Sequence, residues 1–207
     1  MKEAAMSKRV THDVLIDMDN TLFDFDAPIL ESIGTTDRVE RANFYITEDY
    51  PADLHEQIKQ IYNDPEFFCN LDLKEGAVEA WQAMLDNGYN PIIASAPLTS
   101  NPSAVEGKRL SLKRTLAKEF GSSVLENAIF DKEKWKYPGV ALIDDRPHVP
   151  RGPGGGEDLA SWQHVLFGWQ HPATVPMSTA AFRLLSWRDS AEVIQTLDTI
   201  RGSMEAE

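Results

Sequence analysis

Cysteine is nearly absent from this chain of 207 residues: the single one, Cys69, has no partner for an internal disulfide, so nothing in the fold calls for an oxidising compartment. Long apolar runs are missing as well. No window approaches the roughly 18 consecutive apolar residues of a membrane-crossing helix, and the opening stretch MKEAAMSKRVTHD lacks the apolar centre of a signal peptide. A soluble protein of the reducing cytoplasm, with no membrane partner, is the expectation. Basic residues are in the minority too, 20 Lys and Arg against 33 Asp and Glu, for a net charge of −13. That balance argues against wrapping a nucleic-acid polymer, which normally takes a basic face. It leaves room for a small anion bound locally.

What is present suffices for a core. The length and a hydrophobic content of 42% fit one globular unit with room for a small insertion. Three short apolar runs, VLI at 14–16, PIIAS at 91–95 and GVALI at 139–143, each end in polar residues, as strands of a parallel sheet do where they meet a site. Between the first two, EGAVEAWQAMLDNG sets Ala77, Ala80, Trp81, Met84 and Leu85 on one helical face, with Gly88 as a stop signal. Residues 108–120 read as a second helix ended by Gly121, and AIF at 128–130 as a further strand. The βαβ alternation makes the class α/β. Residues 26 to about 71 break it with two helix-like stretches and the aromatic segment NFYITEDYP, and read as an inserted cap. The segment RPHVPRGPGGGEDL is rich in Pro and Gly and reads as a mobile loop. The terminal DSAEVIQTLDTIRG carries Val193, Ile194, Leu197 and Ile200 at helical spacing, the mark of a packed helix.

The chemistry starts at DVLIDMDNTLFDF, residues 13–25. Asp17 ends the first apolar run and Asp19 follows two residues later, so in an extended segment both carboxylates face one ligand beyond the strand's carboxyl end. Two like charges so close need a cation, and oxygen ligands favour Mg²⁺, which also binds substrate phosphate. Taken alone, a D-x-D at a strand end can equally cap a turn. A second acidic pair, Asp144 and Asp145, follows another strand-like run and can meet the first along the same sheet edge. Ser95, at the end of PIIAS, offers a hydroxyl and neighbouring amides to phosphate oxygens. Lys134 offers the positive charge that a transferring phosphoryl group needs, although its flank DKEKWK is also that of an ordinary surface lysine.

DMDNT, IIASAP, Lys134 and LIDD resemble, in order, the four motifs of the haloacid dehalogenase-like phosphatase superfamily. EFFCNLDLKEGAVEAW, ASAPL, LIDDRP, SWQHVLF and LLSWRDS are similar to segments of the 5′(3′)-deoxyribonucleotidases of cytosolic and mitochondrial type, over roughly residues 13–198. The resemblance implies a Rossmann-like parallel sheet core (1–24 and 72–207), a small helical cap inserted after the first strand (25–71), Mg²⁺, and hydrolysis of nucleoside monophosphates to nucleoside and phosphate. By position it makes Asp17 the nucleophile that becomes an aspartyl phosphate and Asp19 the general acid and base. The Mg²⁺ ligands would be the Asp17 and Asp144 side chains and the Asp19 carbonyl. Asp145 would orient a metal-bound water or Lys134, and Ser95, the Ala96 amide and Lys134 would hold phosphate. Phe25, Phe44, Tyr45, Ile46 and Tyr62 fall around nucleobase and sugar, with Lys108 and Arg146 as further substrate contacts. The family often dimerises, and a homodimer is consistent with the resemblance. Asn20 departs from the family's usual glycine, Ser95 from threonine, and Tyr45 and Tyr62 from tryptophan, which bears on base preference. The alternatives are a phosphatase for another small phosphorylated metabolite and a non-catalytic nucleotide-binding protein.

Overall fold

Val14, Leu15 and Ile16 are all buried, as in a strand covered on both faces by other elements. In the computed structural model, which describes residues 12–35, 42–169, 178 and 180–206, they form the central strand β1 (Asp13–Ile16). The other apolar runs give β2 (Asn90–Ser95), the short β3 (Ile129–Phe130) and β4 (Ala141–Asp144). Two more strands, β5 (Gln163–Phe167) and β6 (Phe182–Leu184), extend the sheet. The order is β3-β2-β1-β4-β5-β6, with every neighbouring pair parallel. The class is α/β with a Rossmann-like parallel core.

The topology reverses at β1, because the chain leaves it for β2 and β3 on one side and returns to β4 on the other. Ile16 pairs with Ile93 of β2 and Ile143 of β4. The carboxyl ends of the three strands therefore lie side by side, and in open α/β sheets ligands bind in the crevice at such a point.

Between β1 and β2 the chain forms α1 (Asp26–Ser32) and α2 (His55–Tyr62), with 3-10 turns at Ile46–Asp49 and Phe67–Asn70. Ile29, Leu30, Ile46, Ile58, Phe67 and Phe68 of this segment join one apolar cluster with Val14 and Ile16. Residues 1–11, 36–41, 170–177, 179 and 207, which belong to the expected core and cap ranges, lie outside the described residues.

Helix α3 (Ala77–Asp86) buries Ala77, Ala80, Trp81 and Met84 as the spacing predicts, but Leu85 stays 40% exposed. Leu85 is one residue, about 100° of rotation, past Met84, and that carries it off the buried stripe. The helix expected over 108–120 is two helices, α4 (Ala104–Arg114) and α5 (Leu116–Phe120). Between them the Thr115 hydroxyl donates to the Ser111 carbonyl at 2.7 Å, a back-bond that bends helices. The earlier start follows from Asn101, whose side-chain oxygen accepts the Ser103 amide at 2.9 Å. After the short α6 (Ser123–Glu126), the chain ends in α7 (Ser190–Glu205), capped by Asp189 and burying Val193, Leu197 and Ile200. Each such buried aliphatic side chain contributes about 1.5–3 kcal/mol. No described helix is long and apolar enough to cross a membrane.

The Gly-rich segment is a loop, as the composition suggests, with one 3-10 turn at Pro153–Gly155. Arg151 closes it from within, donating to Asp158 Oδ2 at 2.7 Å, the Trp162 carbonyl at 2.8 Å and the Ala160 carbonyl at 3.1 Å. Its guanidinium also lies 4.9 Å from the centre of the Trp162 ring. A guanidinium carries five donors in a planar fork, so one side chain gives this turn-rich stretch a defined shape.

Candidate active site

Asp17 leaves β1 with its amide donating to the Ile143 carbonyl of β4 at 2.9 Å. Asn20 then turns the chain at φ 55, a left-handed conformation that asparagine tolerates better than most residues. This accounts for an asparagine where the family usually has glycine. Its side-chain amide donates to Asp26 Oδ1 at 2.9 Å, and Asp24 Oδ1 accepts the Ala27 amide at 3.2 Å. Asp24 and Asp26 thus serve the turn that leads into α1.

Lys134 sits in a one-turn 3-10 helix (Lys134–Lys136) and is buried, whereas Lys132 and Lys136 beside it are exposed. Its Nζ donates to Asp17 Oδ1 and to Asp144 Oδ2, each at 2.6 Å. The two carboxyls answer this shared ammonium differently. Burial pushes Asp17 up to about 6; the charge of Lys134 opposes the rise, and Asp144 and Asp19 add to it. Burial also works to raise Asp144, but the charge and hydrogen bond of Lys134, with the Arg146 amide on its other oxygen, outweigh it and hold Asp144 below the ordinary carboxylate value. Burial alone would lower Lys134, yet the two carboxylates hold its ammonium above the usual lysine range.

Asp17, Asp144 and Asp145 each offer a carboxylate oxygen, all three within 4.8 Å of one another and all buried. The Asp19 carboxylate lies apart from this group and takes a 2.7 Å hydrogen bond from Lys108. Lys134 offsets only part of the charge of Asp17, Asp144 and Asp145, and three hard oxygen donors so close together fit a divalent metal ion.

One cavity of about 260 Å³ opens over these groups. Asp17, Asp19, Ala96, Lys134, Asp144 and Asp145 form its floor, and Phe25, Phe44, Tyr45, Ile46, Tyr62 and Arg146 contribute walls. Phe25 and Tyr62 lie 6.0 Å apart, ring centre to ring centre, and the Arg146 guanidinium sits 5.0 Å from the Phe44 ring. Ser95 and Lys108 are not part of the lining, and both are 0% exposed.

Several residues given no role by the sequence support the site. The buried Thr21 accepts the Asp145 amide on its hydroxyl at 3.0 Å, Trp187 donates to the Thr21 carbonyl at 2.8 Å, and the Trp169 indole N–H donates to the Asp145 carbonyl. Together they join the loop after β1 to the loop after β4. Lys132, Thr47, Leu98, Val149 and Pro150 also line the cavity. All of these except Trp169 fall in stretches with a motif, composition or family signal, yet nothing in those signals marks them as supports of the site. Contacts between segments more than a hundred residues apart have no periodic signal.

The arrangement defines a class first. The fold is similar to that of a haloacid dehalogenase-like protein from Agrobacterium tumefaciens, with a TM-score of 0.55 at 13% identity over 91% of this chain and 99% of that one. A HAD-hydrolase from Bacillus subtilis bound to magnesium gives 0.51 at 15% identity over 92% and 100%. The chain has the haloacid dehalogenase-like hydrolase fold. No protein-family model matches it. Individual relatives narrow the class: the chain is 31% identical over 205 residues to the human 5′(3′)-deoxyribonucleotidase, cytosolic type, covering 94% of this chain and 97% of that protein. It is 29% identical to the human mitochondrial 5′(3′)-deoxyribonucleotidase over 192 residues, 87% of this chain and 81% of that protein. A putative 5′(3′)-deoxyribonucleotidase from Bordetella pertussis is 30% identical over 161 residues, 74% and 82%. The chain belongs to the 5′(3′)-deoxyribonucleotidase family and is, with it, a phosphoric monoester hydrolase.

Proposed function

We propose that this chain hydrolyses nucleoside 5′- or 3′-monophosphates, deoxyribonucleotides foremost, to nucleoside and inorganic phosphate through an aspartyl phosphate on Asp17. The observation that carries the reading is Lys134 Nζ at 2.6 Å from both Asp17 and Asp144, on the floor of a cavity walled by aromatic rings. The floor suits a phosphate and the rings suit a flat base. Asp17 attacks phosphorus, and the bond to the nucleoside oxygen breaks as that oxygen takes a proton from Asp19. Asp19 then removes a proton from the water that displaces Asp17 and releases phosphate. Lys134 and the Ala96 amide hold the phosphoryl oxygens, with Ser95 beside them. We assign the metal to Mg²⁺, which Asp17, Asp144 and the Asp19 carbonyl would hold, with Asp145 orienting a metal-bound water or Lys134; it would supply positive charge against the phosphoryl group. Residues 25–71 serve as the cap that presents Phe25, Phe44, Tyr45, Ile46 and Tyr62 to base and sugar, and Arg146 bridges floor and cap through Phe44. The reaction belongs in the cytoplasm, on a monomer or a homodimer.

Phosphate release is measured from dUMP, dTMP, dCMP, dGMP and dAMP with Mg²⁺, for the wild type and Asp17→Asn, with sugar phosphates as comparison. The wild type should favour at least one nucleotide over every sugar phosphate in kcat/KM, and Asp17→Asn should release none above background. Equal or better turnover of sugar phosphates would overturn the substrate assignment. Unchanged activity in Asp17→Asn would overturn the mechanism.

A further inference from the structure

Two lysines are buried among the described residues, Lys134 and Lys108, and the steps above use only the first. Lys108 lies on the second turn of α4, and Gly107 before it explains how it is buried. A Cβ at position 107 would stand 2.8 Å from the Cβ of Phe68, so the helix presses directly on the Phe67–Asn70 turn. Lys108 Nζ consequently sits 5.1 Å from the centre of the Phe68 ring.

The ammonium has three acceptors: Asp19 Oδ2 at 2.7 Å, Ser95 Oγ at 2.9 Å and the Ala96 carbonyl at 3.0 Å. A lysine carries three donors, so none is left for a substrate phosphate. Lys108 is also absent from the cavity wall. Asp19, by contrast, lines the cavity. Its side chain is 28% exposed and is tied to Lys108 through Oδ2. A carboxylate anchored at one oxygen is held in a set orientation.

We propose that Lys108 is a positioning residue: it holds the Asp19 carboxylate in the orientation that handles the proton of the leaving oxygen, and it binds no phosphate itself. The inference rests on the reading of Asp19 as the acid and base. As the P–O bond breaks, its electron pair stays on the nucleoside oxygen, which takes the proton from the Asp19 carboxyl. The Asp19 carboxylate later takes a proton back from the water that attacks the phosphoryl group on Asp17. Lys108 is unchanged through both steps.

Leaving-group dependence tests this. The parameter is kcat/KM, which covers only the steps through departure of the first product. A nucleoside alkoxide needs a proton to leave, whereas p-nitrophenolate departs without one. For Lys108→Met, kcat/KM for a nucleoside monophosphate should fall about 10–100-fold, less than the roughly 10²–10⁴-fold that proton transfer contributes in full, because Asp19 itself remains. For p-nitrophenyl phosphate it should fall less than about threefold. Asp19→Asn should show the same selectivity more strongly, and Lys108→Gln, which keeps an amide donor, should recover part of the nucleotide rate. The ratio between the two substrates does not change with the fraction of protein folded, so a destabilised variant still reports. If Asp19→Asn loses both substrates alike, the role of Asp19 is wrong and the proposal falls with it. If Asp19→Asn discriminates but Lys108→Met loses both equally, Lys108 serves the fold or the phosphate, and the proposal alone is overturned.

Discussion

Replacing Asp17 with asparagine should make the metal-free protein more stable at neutral pH while abolishing its chemistry. Asp17 is 7% exposed, and burial raises its carboxyl from an ordinary 3.8 to about 6. Between those values the unfolded chain has lost the proton that the folded protein still holds, so stability falls as pH rises through the window. Above about 6 the loss is complete. A shift of about 2 pH units at about 1.4 kcal/mol each amounts to roughly 3 kcal/mol. Asparagine does not titrate, and its side-chain oxygen still accepts from Lys134. In urea unfolding with a chelator at pH 7.5, Asp17→Asn should therefore exceed the wild type by about 2–3 kcal/mol, with the gap closing as pH approaches 4. Saturating Mg²⁺ should narrow the gap by stabilising the wild type more, about 2.7 kcal/mol at a hundred times its Kd. A variant less stable than the wild type at pH 7.5 without metal would refute the reasoning, because Asp17 would then contribute more as a partner of Lys134 than its burial costs.

Two further substitutions probe how the site is supported. Thr21→Val keeps the shape of a fully buried side chain but leaves the Asp145 amide without its acceptor. Urea unfolding should show a loss of about 1–3 kcal/mol, and Mg²⁺ titration of turnover a weakening of about tenfold. Gly107→Ala gains up to about 1 kcal/mol of helix propensity, but the new Cβ meets a Phe68 Cβ, close to the backbone, at 2.8 Å, and overpacking of that kind costs about 1–3 kcal/mol. A lowered melting temperature is expected, and a raised one would mean that α4 is free to move off the Phe67–Asn70 turn.

Much of the sheet was legible because parallel strands buried on both faces are short apolar runs, and Val14 to Ile16, Ile92 to Ala94 and Ala141 to Ile143 stand out as such. β5 falls within SWQHVLF, which stands out only by its family likeness, and β6 meets LLSWRDS only at Leu184. β6 is three residues long and, of these, only Leu184 is fully buried, so local pattern is weak there. The acidic residues were legible because Asp17 directly follows β1 and Asp144 ends β4, with Asp19 and Asp145 close behind, and topology then brings Asp17 and Asp144 together. The supports were not. That Lys108 reaches Asp19 depends on α4 starting at Ala104 and on the missing side chain of Gly107, and neither follows from helical periodicity. Thr21, Trp169 and Trp187 act across long separations in sequence, where only the folded chain defines neighbours. The loop at 151–157 was legible from its composition, but the three hydrogen bonds of Arg151 to Asp158, Ala160 and Trp162 were not.

Covalent label on Asp17 is the most direct test of the proposed double displacement. The enzyme is mixed with a nucleotide carrying ³²P in its monophosphate, in the presence of Mg²⁺, quenched in acid during turnover, digested and mapped. Label should appear on the peptide spanning residues 13–25 in the wild type, be absent from Asp17→Asn, and disappear when the wild type is chased with unlabelled nucleotide. Steady phosphate release with no labelled peptide at any quench time would contradict it and point to direct attack by water.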